Sequence, residues 1–227
     1  MIRSASFVIT LALSCMAMNP SASAQLRPAE SPEWFNLELH IGPYTPDVEA
    51  GVFDSVFGSD DRGPAFGLQL GFHAYHIPHV GPVGIGVGFA RAAYTASAFT
   101  QGSEVRSEEE TSLTLWPLSA YGFLRIETLA RELGIPFILV GKLGWDAVVW
   151  HASKGSTEDG SGIAQGLRWG AQLALELDFL EPRAARRLDT DWGVNHAYIF
   201  FEYFASSAGG DISLGATSYT AGLGFQF

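Results

Sequence analysis

Eight separate stretches of this chain alternate apolar residues with polar or small ones at a period of two, the repeat of a strand whose faces meet different surroundings. In the first run Phe35, Leu37, Leu39 and Ile41 oppose Asn36, Glu38 and His40. The second sets Phe66, Leu68, Leu70 and Phe72 against Gly67, Gln69, Gly71 and His73, and the third Val83, Ile85, Val87 and Phe89 against Gly84, Gly86, Gly88 and Ala90. The fourth carries Leu113, Leu115, Tyr121 and Phe123 on its apolar face and is the least regular, because Pro117 falls within it. Leu139, Leu143, Trp145, Ala147 and Val149 oppose Lys142, Gly144 and Asp146 in the fifth. In the sixth, Leu167, Trp169, Ala171, Leu173 and Leu175 oppose Arg168, Gly170, Gln172 and Glu176. The seventh sets Ala197, Ile199, Phe201 and Tyr203 against His196, Tyr198 and Glu202, with Phe200 an apolar exception. The eighth sets Tyr219, Ala221, Leu223, Phe225 and Phe227 against Ser218, Thr220, Gly222, Gly224 and Gln226. Helical periodicity is nearly absent.

Alternation alone does not say which face is wet, since a soluble barrel hides its apolar face and a membrane barrel turns it to lipid. Three features break the tie. Gly84, Gly86 and Gly88 would make a weak outer surface for a soluble strand but save space inside a narrow cylinder. Phe35, Phe72, Phe123, Phe137, Phe225 and Phe227 gather near run ends, where rings collect at a bilayer boundary. Runs of about ten residues match a tilted membrane span. The expectation is therefore all-β: an eight-stranded antiparallel transmembrane β-barrel, with both ends on one side because the strand count is even. Segments 44–63, 97–110, 151–162 and 206–213 are rich in Gly, Ser, Asp and Glu and are expected as outer loops. Segments 77–82, 125–136 and 178–195 are then expected on the periplasmic side. The last two read as short helices, with Glu181-Pro182 as a helix start.

The beginning of the chain reads as a signal peptide over residues 1–24: Arg3, an apolar stretch from Phe7 to Met18, then Ala22-Ser23-Ala24. Residues 25–33 are expected as a periplasmic segment and 34–227 as the barrel. No later segment offers the roughly 18 apolar residues that a spanning helix needs, so membrane crossing must use strands. Cys15 is the only cysteine and sits in the leader, which removes disulfide, thiol-redox and cysteine-metal chemistry from the rest. Ala12-Leu13-Ser14 before it is a poor lipidation signal. The acidic balance, 24 Asp and Glu against 13 Lys and Arg, argues against a nucleic-acid partner.

The sequence resembles small Gram-negative outer-membrane β-barrels, particularly a myxobacterial-type group. The resemblance rests on Leu37-Glu38-Leu39-His40-Ile41-Gly42-Pro43-Tyr44, on Leu177-Asp178-Phe179-Leu180-Glu181-Pro182 with Gly193-Val194-Asn195-His196, and on Gly222-Leu223-Gly224-Phe225-Gln226-Phe227. It spans most of the chain beyond the leader. It implies that Tyr219, Leu223, Phe225 and Phe227 form the terminal strand read by the outer-membrane assembly machinery, and it supplies no catalytic residues.

Inward Glu38, Lys142, Asp146, Arg168, Glu176 and Glu202 are costly if unpaired, so they are expected to form a polar network across the lumen, with Asp146 and Arg168 as the first pair. A packed plug is the simpler reading, since eight strands leave room for little beyond side chains; a narrow gated solute channel is the alternative. His73, His76 and His79 recur at intervals of three, but an odd spacing sends neighbours on a strand to opposite faces, which disfavours a metal site. His151, Ser153 and Glu158 hold the residue types of a hydrolytic triad in a glycine-rich loop that would not orient them. Gly84, Gly86 and Gly88 lack dinucleotide-loop spacing. Asp47, Glu49, Asp54, Asp60, Asp61, Glu104, Glu108, Glu109 and Glu110 crowd the outer loops, where they would share divalent cations with lipopolysaccharide phosphates or simply be solvated. Arg183, Arg186 and Arg187 would meet anionic headgroups or water on the other side.

The reading is a monomeric outer-membrane barrel with a structural or surface-interaction role, no enzyme and no cofactor. Its partners are membrane lipids, lipopolysaccharide and the barrel assembly machinery. Its rivals are a solute channel, a lipid- or lipopolysaccharide-modifying enzyme, and a soluble periplasmic lipid-binding barrel whose apolar face lines a cavity.

Overall fold

The computed structural model describes residues 33–48, 53, 57, 64–99, 106–154, 157–210 and 212–227. The expected leader and nearly all of segment 25–33 lie outside the described residues, as do Glu49, Asp54, Asp60, Asp61 and Glu104 and the side chains of Glu108, Glu109, Glu110 and Glu158.

Eight strands follow in order: β1 (Phe35–Pro43), β2 (Pro64–Ile77), β3 (Gly81–Phe99), β4 (Arg106–Ile126), β5 (Phe137–Lys154), β6 (Thr157–Glu176), β7 (His196–Ser206) and β8 (Ala216–Gln226). Each pairs antiparallel with its neighbour, and β1 pairs with β8 to close a barrel. The seam runs from Asn36 opposite Gln226 to Ile41 opposite Ala221. The Trp34 and Phe35 amides donate to the Phe227 carbonyl at 2.6 and 3.0 Å, so the last residue is tied into the ladder. Two short helices, α1 (Thr128–Arg131) and α2 (Pro182–Trp192), occupy the connections β4–β5 and β6–β7 at the terminal end of the barrel. Pro182 stands at the start of α2, and left-handed Gly193 (φ 69°) ends it, its amide donating to the Asp189 and Leu188 carbonyls.

The apolar face of the alternation looks outward. Leu143, Ile85 and Leu167 are 66%, 65% and 60% exposed, while Glu38, Asp146 and Glu202 on the opposite face are almost fully buried. That inverts a soluble barrel and excludes the soluble lipid-binding reading: its oily face would have to line the interior. The outward apolar run of β5, Phe137 to Val149, covers twelve residue steps, roughly 40 Å along the strand and about 30 Å along the axis at a typical tilt of about 40°. This is the thickness of a hydrocarbon core. No helix among the described residues is long and apolar enough to cross a membrane, so the strands do the crossing.

Two expectations are corrected. Leu115, Tyr121 and Phe123 face the lumen, with partly buried Leu113 packed against its apolar layer, and the outward face of β4 is instead Trp116, Leu118, Ala120, Gly122 and Leu124. β4 is apolar on both faces, so periodicity alone left its phase open. The inward rings are accommodated by the small residues of β3: a Cβ on Gly86 would lie 2.6 Å from the Tyr121 ring, and one on Gly84 2.8 Å from Phe123. Secondly, the expected loops 97–110 and 151–162 are largely strand, because β3 to β6 run on well past the apolar belt. Above the belt neither face needs lipid-facing residues, and Gly, Ser and Glu occupy paired positions. Pro117 stays within β4 opposite Val148, while β3–β4 pairing lapses between Phe89↔Leu118 and Ala92↔Leu115, where its missing amide would fall.

The glycine and aromatic pairing predicts that Gly86→Val costs roughly 1–3 kcal/mol by overpacking, and that adding Tyr121→Ala recovers most of it. Urea unfolding of the protein refolded in lipid vesicles measures both; a Gly86→Val protein as stable as the parent would show that the ring does not depend on the glycine.

A layered lumen as the candidate functional site

The inward residues form three layers along the lumen. The central one is built around Lys142 of β5, whose ammonium lies 2.8 Å from Glu38 Oε2 of β1, 2.8 Å from Glu202 Oε2 of β7 and 2.9 Å from Gln69 Oε1 of β2. All three donors of the ammonium are thereby used. Glu38 Oε1 accepts from Gln172 Nε2 of β6 and from the Tyr198 hydroxyl of β7, each at 2.8 Å. Arg168 donates to Glu202 Oε1 at 3.2 Å and stands 3.5 Å from Asp146 Oδ2, the longer and weaker of the two contacts. Its guanidinium lies 3.9 Å from the centre of the Phe204 ring, a cation–π contact on the side of the loop end. Five strands therefore send side chains to one cluster, so it acts as a cross-brace.

Toward the terminal end lies a second ionic layer. Arg125 Nε donates to Glu127 Oε1 at 2.7 Å, and Arg131 bridges Glu127 at 3.4 Å and Glu176 at 2.9 Å. His196 contacts Glu33 at 3.1 Å and the Asp178 carboxylate. Arg125 also stacks 4.6 Å over the Tyr198 ring, linking this layer to the central one. Burial pushes the Glu127 carboxyl up, but Arg125 and Arg131 outweigh it and hold it below the ordinary carboxylate range.

The loop end is filled by apolar groups. Tyr94, Leu115, Val148, Ala164 and Phe204 from the strands pack with Tyr44, Phe53, Ala208 and Leu214 from the connections β1–β2 and β7–β8. The Tyr44 hydroxyl donates to the Leu214 carbonyl at 3.1 Å and Tyr94 donates to the Tyr44 carbonyl, so the two connections are stitched together over the mouth. Phe53 meets Tyr94 edge-on at 5.0 Å. Between the two ionic layers, a cavity of about 10 Å³ lined by Asn36, Glu38, Tyr121, Phe123, Arg125, Val140 and Lys142 has room for about one water.

Glu38, Lys142, Asp146, Arg168 and Glu202 thus meet in one cluster, and Glu176 belongs instead to the terminal layer with Arg131. Sequence reasoning missed Gln69, Gln172 and Tyr198 as partners, and Arg125, Glu127 and Arg131 altogether. The parity of β2, β6 and β7 marks the first three as inward; Arg125 was hidden because 125–136 reads as a connection, whereas β4 runs on to Ile126. His73 is buried in the lumen against the Glu33 carbonyl, whereas His79 turns outward to Glu132 at 2.6 Å. No group of His, Cys, Asp and Glu suited to a metal was found among the described residues. His151 and Ser153 lie on the β5 extension, where Ser153 Oγ bonds Ser112 Oγ at 2.7 Å rather than His151. Tyr219 and Leu223 of β8 face outward and half exposed, with Phe225 and Phe227 on the same face and partly covered.

No family model matches this sequence, and no curated protein matches it. Solved structures do. The outer membrane protein OprG from Pseudomonas aeruginosa is 12% identical, with 87% of this chain and 97% of that one covered and a TM-score of 0.52. The attachment invasion locus protein Ail of Yersinia pestis is 16% identical over 86% of this chain and 97% of that one, with a TM-score of 0.46. Neisserial surface protein A is 13% identical over 88% and 100%, with a TM-score of 0.44. At such identities the likeness is one of fold. The fold is that of a small bacterial outer-membrane β-barrel, and an exterior this apolar sits in a bilayer.

Removing the central cation leaves buried Glu38 with no cationic partner and Glu202 with Arg168 alone. Lys142→Met is expected to destabilise the folded barrel by roughly 3–5 kcal/mol, and adding Glu38→Gln and Glu202→Gln to return a large part of that, as read by urea unfolding in vesicles. Glu127, with its carboxyl depressed in the folded state, contributes stability that is present above the ordinary carboxylate range and is lost as pH falls below it. Urea midpoints measured at neutral pH and again well below the ordinary carboxylate range should converge for the parent and Glu127→Gln as pH falls; a gap that persists there would contradict the assignment.

Proposed function

We propose that this protein is an integral outer-membrane barrel with a structural or surface-interaction role, non-enzymatic and monomeric, whose lumen is plugged by its own side chains. The observation that carries the reading is the stacking of the Lys142 cluster beneath the apolar layer of Tyr94, Leu115, Val148 and Phe204. A solute would have to break a buried ion cluster and also displace packed rings, two unrelated barriers in series.

With the interior closed, the surfaces left for recognition are external. β3 to β6 continue past Trp116 for roughly 30 Å along β4, and Thr114, His151, Ser112, Ser153 and Ser161 form the polar outer side of that extension. This sheet is the surface we assign to contacts with lipopolysaccharide or a surface partner. Tyr219, Leu223, Phe225 and Phe227 serve as the segment engaged by the assembly machinery, in keeping with the myxobacterial-type resemblance of the sequence.

A narrow solute channel is the competing reading, and planar-bilayer conductance separates the two. The purified full chain should give no stable open level, and Lys142→Met alone should not create one while the apolar layer stays intact. A steady conducting state in the parent protein refutes the plug.

A further inference from the structure

We infer that α2 is an interfacial anchor that binds the lipid leaflet at the terminal end of the barrel, its apolar stripe immersed and its arginines on anionic headgroups. The inference rests on the membrane-spanning reading and goes beyond it, because the belt alone needs no helix. At 100° per residue, Ala184, Ala185, Leu188 and Trp192 fall within one arc of about 100°, and Arg183, Arg186 and Arg187 occupy the opposite side.

A helix patterned in this way ordinarily buries its stripe on its own protein. Here none of its residues is buried: Trp192 is 77% and Leu188 39% exposed, and Phe179 and Leu180 in the preceding turn are 55% and 65% exposed. The stripe therefore needs an apolar occupant from outside the fold. Its position names one. The Leu177 amide donates to the Ala197 carbonyl at 2.8 Å, pinning the approach to α2 on the rim between β6 and β7. At that rim the outward belt residues Leu173 and Ile199 are still exposed to lipid. The exposed turn and helix thus continue an apolar surface that already meets hydrocarbon, and three cations on the other flank complement phosphate charge.

Site-directed nitroxides test this. Cys15 is the only cysteine, so in a Cys15→Ser background Leu143→Cys, Arg187→Cys and Leu188→Cys each carry one label on the full chain in bilayers. Collisions with oxygen, which partitions into lipid, are compared with those of a water-soluble nickel chelate. The label at 143, in the middle of the belt, should be lipid-exposed; if it is not, the membrane-spanning reading itself fails. With 143 in lipid, the expected result is an immersed label at 188 and a wet one at 187. A wet label at 188, or one shielded from both reagents as by a protein partner, overturns the anchor while leaving the barrel intact. Vesicles of phosphatidylcholine with phosphatidylglycerol should immerse 188 more deeply than phosphatidylcholine alone. Arg183→Gln, Arg186→Gln and Arg187→Gln together should abolish the difference; equal depth in both lipids in the parent overturns the headgroup contact.

Discussion

Closure of the ladder between β1 and β8 is the constraint on which the rest depends. In hydrocarbon an unpaired amide or carbonyl finds no water, and a sheet with two open edges cannot persist there. The seam from Asn36↔Gln226 to Ile41↔Ala221, extended by the bonds to Phe227, removes both edges. Once the cylinder is closed, every side chain points either to lipid or to the lumen, with no intermediate choice. Alternation in the sequence then becomes a statement about solvent.

The charges follow from that parity. Glu38, Lys142 and Glu202 stand on faces that cannot turn to lipid, and inside a narrow cylinder they reach one another across the diameter rather than along neighbouring strands. Their value lies less in net stability than in arrangement, because desolvating ions offsets much of their attraction. A single ammonium bonded to three strands at once favours one set of strand positions. The apolar layer near the loops contributes burial of the ordinary kind, from rings and aliphatic groups that lose contact with water.

How much of this was legible varies by element. In seven strands the faces can be read from the balance of residues, since one face is richer in Gly, Asn, Gln or charge, despite inward Ile138, Val140 and Phe200, and the other in Leu, Ile, Val and Phe. β4 defeats the method because Tyr121 and Phe123 are as apolar as the Leu118 and Leu124 that truly meet lipid. Its phase depends on a tertiary fact, the space over Gly84 and Gly86, that lies in a different strand. Arg125, two residues beyond Phe123 on the same face, was hidden because it fell in the segment read as a connection, whereas β4 runs on to Ile126. The strand extensions were unreadable for another reason: beyond the belt, pairing continues without any lipid requirement, and polar strand looks like loop. Parity identified Asp146 and Arg168 as inward neighbours, but could not reveal that Arg168 lies nearer Glu202, since angle around the barrel is absent from a one-dimensional pattern.

The lumen and the extensions together bear on where specificity resides. A channel keeps its selective groups beside a continuous path, and here the charged layers are capped by Phe53, Tyr94 and Leu214 and separated by space for about one water. The same chain invests four strands, β3 to β6, in a sheet projecting beyond the membrane, with Trp150 folded over Gly160 and Gly162 on its inner side and hydroxyls and His151 on its outer side. Building a stiff sheet where short turns would suffice costs ordering entropy on every added residue. That cost is offset by the continuous backbone pairing of the four strands, which sets Thr114, His151, Ser153 and Ser161 on one ordered outer surface.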